Sequence, residues 1–411
     1  MPSRETNGRG TSFGLRAETL SPMETLAQSV STMAPSTTPV ATIPLVAALS
    51  GNGTWLAYVL ATVAIFLVAW CVSRFAKYSA SPGSLYVYAS KTLPRPAGAV
   101  AAWSLLLAYI ATGSSVIGGF YHYANILLHD AGAHAVSAMI LALLVTLVSV
   151  AVAWRDVKIS ARLMLWIEVG SLAAILAVVT LVLFRHGAHL DWEQARLRGM
   201  SWSGLRLGLV LALFSYVGFE SATTLGAEAR NPLEIGILID IGALVSLFAC
   251  TLASITAAAR VLLLMAHNGL AHRSLCNTHV QNATPTVAIL VSGVAAVLPV
   301  TVLAWRGSSG LDLYGWFGAL ATYGFIVTYA LVSVSLPRYL RDLGVFHAGS
   351  QIIPALAFTA MLLALVGNLY PVPEGPYGKL PYIYLVYLAA GMAWFFAGTR
   401  QARSVETQPE T

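Results

Sequence analysis

The chain has 411 residues; 57% are hydrophobic, only 10% are Asp, Glu, Lys or Arg, and the formal net charge is +6. A soluble domain carries about 25% charged residues, so a water-soluble fold of this length is excluded for want of polar surface. The bases lie in short loops between apolar runs and form no single basic element, which excludes a nucleic-acid-binding face and reads as membrane topology.

Residues 1–26 are polar, with Arg4, Arg9 and Arg16 but no apolar stretch, and are expected to be a cytosolic tail with no signal peptide. A membrane domain is expected over residues 27–399, followed by a short polar tail at 400–411. The first apolar run, Leu26 to Leu49, holds Met33-Ala34-Pro35-Ser36-Thr37-Thr38-Pro39 at its middle. Proline removes an N–H and clashes with the preceding turn, so this run is predicted to be a helix broken at mid-membrane. Irregular backbone at that depth survives only where it is enclosed by protein or lines a cavity.

The next runs are Trp55–Val72, Ala97–Leu128, Ala135–Trp154 and Leu163–Phe184. Basic loops follow the second and fourth runs, with Arg74, Lys77, Lys91 and Arg95 in one and Arg155, Lys158 and Arg162 in the other. After a polar stretch from Arg185 to Trp202, the sixth run starts near Leu205. It holds Phe214-Ser215-Tyr216-Val217-Gly218-Phe219-Glu220 and ends at Glu228-Ala229-Arg230-Asn231-Pro232, with a second break predicted at Ser215–Glu220. The later runs are Ile235–Ala266, Thr286–Trp305, Leu313–Leu336, Ile352–Leu369 and Tyr382–Ala397. Each is near the length that crosses a bilayer, about 20 residues, and none alternates as a β-barrel strand does. The prediction is an all-α polytopic membrane protein with about eleven transmembrane helices.

Three strings in these runs resemble motifs of the amino acid permeases in the amino acid–polyamine–organocation transporter superfamily. They are Gly83-Ser84-x-Tyr86-x-Tyr88, the sixth-run string with Glu228-x-x-Asn231-Pro232, and Arg260-Val261-Leu262 with Met265-Ala266-His267-Asn268-Gly269-Leu270. The resemblance covers Leu20 to Arg400. It implies a LeuT-like five-plus-five inverted repeat with two extra C-terminal helices, in a cell membrane, its first and sixth helices both interrupted. Half-helix N-termini suit a carboxylate, and free carbonyls suit an ammonium group. By that resemblance the substrate-binding candidates are Met33, Ala34, Pro35, Ser36, Thr37, Phe214, Ser215, Tyr216, Val217, Gly218 and Glu220. The implied substrate is an amino acid or related amine, with a neutral one expected, and the coupling ion is a proton or sodium.

Several residues have two readings. Glu220, deep in an apolar run, is either functional or a cap on the broken helix. Tyr216 and Phe219 either gate or line the pocket, or simply pack. Glu168 is either a proton site, because burial favours a protonated carboxyl, or a cytoplasm-proximal residue that pairs with Arg162 or snorkels. Some proton-coupled relatives have a lysine one turn further on, where this chain has Ser171. Ser254 and Thr256 are either sodium ligands or packing hydroxyls. His122 reads as interfacial. Of the cysteines, Cys71 and Cys250 lie in apolar runs as packing residues, and with Cys276 they are too few and scattered for a disulfide framework. No phosphate-cradling loop, nucleophile–base pair or histidine spacing for a metal is present, so no cofactor, metal or enzymatic activity is expected.

Relatives place a seventh helix and an extracellular loop after the Asn-Pro pair. Here Leu233-Glu234 leads straight into a segment like the start of their eighth helix, so a deletion near 234/235 is expected. Losing one span would flip every later loop and move Arg273, Arg338, Arg341, Arg400 and Arg403 outside, against the positive-inside rule. Keeping them inside requires Leu233–Asp240 to return across the membrane. Eight extended residues reach about 28 Å, against a core of about 30 Å, so a strained connection is expected. Two functions follow: secondary transport by alternating access, or a non-transporting membrane scaffold inactivated by the lost helix.

Overall fold

The computed structural model describes residues 15, 21–35, 37–78, 84–130, 132–155, 157–186, 192–218, 243–279, 281–373 and 375–406. The helices are α1 (Pro22–Met33), α2 (Ile43–Ser50), α3 (Thr54–Tyr78), α4 (Ser84–Ser90), α5 (Arg95–Asp130), α6 (Ala138–Arg155), α7 (Val157–His186), α8 (Trp192–Ala195), α9 (Trp202–Phe214), α10 (Ala243–His267), α11 (Thr286–Trp305), α12 (Gly310–Asp342), α13 (Ile352–Leu369) and α14 (Leu380–Glu406). A π turn at Thr38–Thr42 runs into α2. No strand occurs among the described residues. Eight helical segments of the described residues are long and apolar enough to cross a bilayer, and α9 is a shorter apolar one.

Both ends of α1 have a local cause. Ser21 caps α1 by accepting from the Glu24 N–H, while the Glu24 carboxylate accepts from the Ser21 N–H at 2.9 Å. This reciprocal box satisfies two otherwise orphaned groups. At the other end, Ala34 is left-handed at φ 45°, and its N–H bonds back to the Val30 and Ser31 carbonyls. Pro35 then blocks continuation.

α5 and α12 cross at the centre of the bundle, where small residues allow close approach. A Cβ on Gly118 would meet Leu313 and Gly310, and one on Gly324 would meet the Ser104 carbonyl and Ala108. Large apolar side chains such as Phe66, Leu147, Leu298, Leu363 and Val386 face outward, as lipid contact requires.

The contacts define which ends share a face. Arg162 pairs with Glu24 at 2.7 Å. The Asn268 amide donates to the Tyr86 hydroxyl at 2.7 Å, and the Tyr339 hydroxyl donates to the Tyr78 carbonyl at 3.3 Å. Asn282 and Thr284 donate to the Trp154 carbonyl. One face therefore carries the N-termini of α1, α5, α7 and α11 and the C-termini of α3, α6, α10 and α12. Arg74, Lys77, Lys91, Arg95, Arg155, Arg162, Arg273, Arg338 and Arg341 lie at these ends, which marks the cytoplasmic face. The second half has not flipped.

α9 and α10 consequently run in the same direction. Gly208 packs on Ser50 and Val46, so α9 descends antiparallel to α2. Gly119 meets Leu247 and Gly113 meets Ser254, so α10 descends antiparallel to α5. The return between them, with the expected strained stretch Leu233–Asp240, lies outside the described residues. A cysteine placed at Ser308 is expected to react with an impermeant reagent only from outside the cell. Labelling only from the cytoplasm would mean an inverted second half.

Candidate functional site

The two helix breaks touch. α9 ends at Phe214, and Ser215 to Gly218 follow as turns. Gly218 has φ +98°, and a Cβ there would lie 2.5 Å from Thr32 Cγ2 and 3.1 Å from the Thr32 carbonyl carbon. No side chain fits between the two backbones at this point.

Beside the contact is a narrow cavity of about 10 Å³, lined from α1 by Thr32, Met33 and Ala34 and from the π turn by Thr38 and Thr42. Thr112 and Val116 of α5, Phe214 and Ser215 of the second break, Cys250 of α10 and Tyr314 of α12 complete it. That volume holds about one water, so the site is closed in this conformation. α1 and α9 both end here, with the partial negative charge of helix C-termini, while the π turn that leads into α2 begins here with the partial positive charge of an N-terminus.

Hydrogen bonds hold the walls. The Cys250 thiol donates to the Thr32 carbonyl at 3.2 Å, and the Gln28 amide donates to the Ala253 carbonyl at 2.9 Å, tying α1 to α10. The Thr42 and Tyr314 hydroxyls share a bond of 2.7 Å, and the Ser115 hydroxyl donates to the Tyr314 carbonyl at 2.6 Å. Phe214 meets Tyr314 edge-on at 5.9 Å. The buried Ser31 and Thr37 hydroxyls, flanking the first break, make no hydrogen bond among the described residues.

Of the expected binding residues, Met33, Ala34, Phe214 and Ser215 line the cavity. Pro35 and Thr37 lie in the first break and Gly218 in the second, away from the lining. Val217 is buried in the core. Tyr216 faces α3, where its hydroxyl accepts from Thr62 at 2.9 Å and its ring meets Tyr58. Ser36, Phe219 and Glu220 lie outside the described residues.

Among the ion-coupling candidates, Glu168 is 1% exposed and close enough to Cys250 to act on it electrostatically. Arg162, its expected partner in the structural reading, instead bonds Glu24. Ser254 lies 3.9 Å from the Cys250 sulfur. The Thr256 hydroxyl is buried without a partner among the described residues. Ser171 lies on α7, with only its backbone described. His122 sits at the outer end of α5, where it lines a wider cavity of about 490 Å³ with Asn125 and His129.

Sequence reasoning missed Thr32, Thr38, Thr42, Thr112, Val116, Cys250 and Tyr314. One signal was available for α5: Thr112-Gly113-Ser114-Ser115, a cluster of small and hydroxyl residues inside a long apolar run.

Two amino acid permease family models match the chain, one over residues 20–236, just over half of it, and a second over 233–395. Among curated proteins, the branched-chain amino acid permease BcaP of Bacillus subtilis (strain 168) is 23% identical over an alignment of 434 positions, covering 86% of this chain and 87% of that protein. The methylthioribose transporter of the same organism is 26% identical over 205 residues, covering 46% of this chain. BcaP of Lactococcus lactis subsp. cremoris (strain MG1363) is 24% identical over 214 residues, covering 47% of this chain. The chain spans less than half the length of those last two relatives, 44% and 46%. The permease models, the transporter relatives and the apolar helices make this a multi-pass membrane transport protein, and the chain belongs to the amino acid permease family.

Proposed function

We propose that the protein is a secondary active transporter that moves an amino acid or related amine by alternating access. The observation carrying this is the contact of Gly218, after the end of α9, with Thr32, in the last turn of α1, beside a closed cavity lined from both segments. A zwitterion needs both partners, and the backbone supplies them with little side-chain charge. We assign the coupling ion, a proton or sodium, to the α1–α7–α10 junction, where Glu168, Ser254 and the Thr32 carbonyl gather around Cys250. Neutral substrates are preferred in this reading: none of the residues lining the cavity is Asp, Glu, Lys, Arg or His.

A second reading, a non-transporting membrane protein, is favoured by the parallel course of α9 and α10. The two family models meet at residues 233–236. In the BcaP alignment, 86% of 411 residues is about 353, so about 80 of the 434 positions have no residue here. That is enough for a helix and its loop, as a deletion near 234/235 requires.

Purified full-length protein in proteoliposomes separates the two readings. Transport predicts saturable, gradient-dependent accumulation of labelled neutral amino acids, with cationic and acidic ones as poor competitors. Binding without accumulation under proton, sodium and counterflow conditions would establish the non-transporting reading.

A further inference from the structure

The outer end of the bundle carries a feature that the substrate site does not use. The turn between α13 and α14, Gly375–Lys379, folds back on itself. Gly375 is left-handed at φ +66°, and a Cβ on Gly378 would run into the Pro373 carbonyl. The left-handed backbone at Gly375 and the close carbonyl beside Gly378 both favour glycine. Tyr377, at its centre, does not point into solvent. Its ring packs against the bundle core. A Cβ on Gly315 would lie 2.6 Å from the Tyr377 hydroxyl and 3.6 Å from Leu45 Cδ1.

This places the tip of Tyr377 between α2 and α12. Gly315 follows Tyr314, and Leu45 lies one turn outward of Thr42. Thr42 and Tyr314 are the two hydroxyls that bond across the cavity. The hydroxyl end of Tyr377 therefore sits at the seam between α12 and the segment running from the π turn into α2, the seam that the Thr42–Tyr314 bond also spans. Asp312, in the first turn of α12, lies near enough to Tyr377 for electrostatic interaction.

We propose that Tyr377 is an outer gate residue: its side chain, presented by the α13–α14 turn into the space left by Gly315, seals the path from outside to the cavity. The gate is steric, because the space at Gly315 is complementary to the ring and its tip. It rests on the alternating-access reading, in which the outer path must open and close.

Cys250 lines the cavity and reports on the seal. Intact cells expressing the full chain are treated outside with a charged, impermeant thiol reagent, and modification at Cys250 is mapped, with Cys250→Ser as the blank. Tyr377→Ala is expected to speed labelling about tenfold, the effect of moving the open population by one decade. Tyr377→Phe keeps the ring and is expected to match the parent. Parent-like labelling in a Tyr377→Ala protein of unchanged thermal stability overturns the gate. A second test avoids any loss of folding: a disulfide joining Leu45→Cys to Tyr377→Cys should protect Cys250, with reduction restoring its labelling. Equal labelling of the cross-linked and reduced forms also overturns it. Faster labelling in Tyr377→Ala, from a parent that accumulates no amino acid, leaves the gate standing and removes the transport reading.

Discussion

Gly218→Ala is expected to abolish uptake and to lower the thermal stability of the purified protein. Two costs combine. A residue with a Cβ at φ +98° is strained by about 1–3 kcal/mol. The new methyl would also meet Thr32 Cγ2 at 2.5 Å, Thr32 Cβ at 2.9 Å and the Thr32 carbonyl carbon at 3.1 Å. A flexible side-chain end could swing away, but Thr32 belongs to the last turn of α1 and its carbonyl is held by Cys250. Relief therefore means separating the two breaks, and the cavity lies at their junction. Uptake in proteoliposomes and a melting curve by size-exclusion chromatography read the two effects. Parent-like values in both would show that the contact of the breaks is not required.

Glu168→Gln is expected to remove gradient-driven accumulation while leaving counterflow exchange. The carboxyl is almost fully buried inside the bundle, beside the Cys250 that ties α10 to the end of α1. An ionisable group at that depth is costly unless it serves a purpose. Glutamine keeps the shape and a hydrogen-bonding end but carries no exchangeable charge, so substrate passage survives and coupling does not. Equal loss of accumulation and exchange would point to a packing role. Glu220→Gln is the companion variant. Glu220 follows the Gly218 contact by two residues, and its loss is expected to reduce accumulation and exchange together, more severely than Glu168→Gln does. Normal exchange in Glu220→Gln would remove that carboxyl from the site.

Much of this was legible in the sequence because a bilayer imposes a simple rule. Backbone groups in hydrocarbon must pair within a segment, so runs of about 20 apolar residues specify helices; about eleven spans were expected, and eight segments of the described residues are long and apolar enough to cross, with α9 a shorter one. The prolines after Met33 marked the first break, and Gly218 marked the second, because both residues act on the local backbone whatever surrounds them. The charge count anticipated a cytoplasmic face holding Arg273, Arg338 and Arg341, as the contacts of α10 and α12 now place them.

What the sequence alone did not reveal depends on packing between distant segments. Thr112, Val116, Cys250 and Tyr314 reach one cavity from three helices, and each lies in an apolar run where it reads as ordinary core. Tyr216 was a plausible lining residue until the turn after Phe214 directed it toward Thr62 of α3. Arg162 had Glu168 nearby in sequence, yet it bonds Glu24, 138 residues away along the chain. The place of Tyr377 against Gly315 depends on the packing of the α13–α14 turn on α12, which no local pattern in the sequence marks. Helix length, breaks and sidedness are local or additive properties, so one chain read in order determines them. Which faces meet depends on the shapes of all the helices at once, and only the tertiary structure decides that.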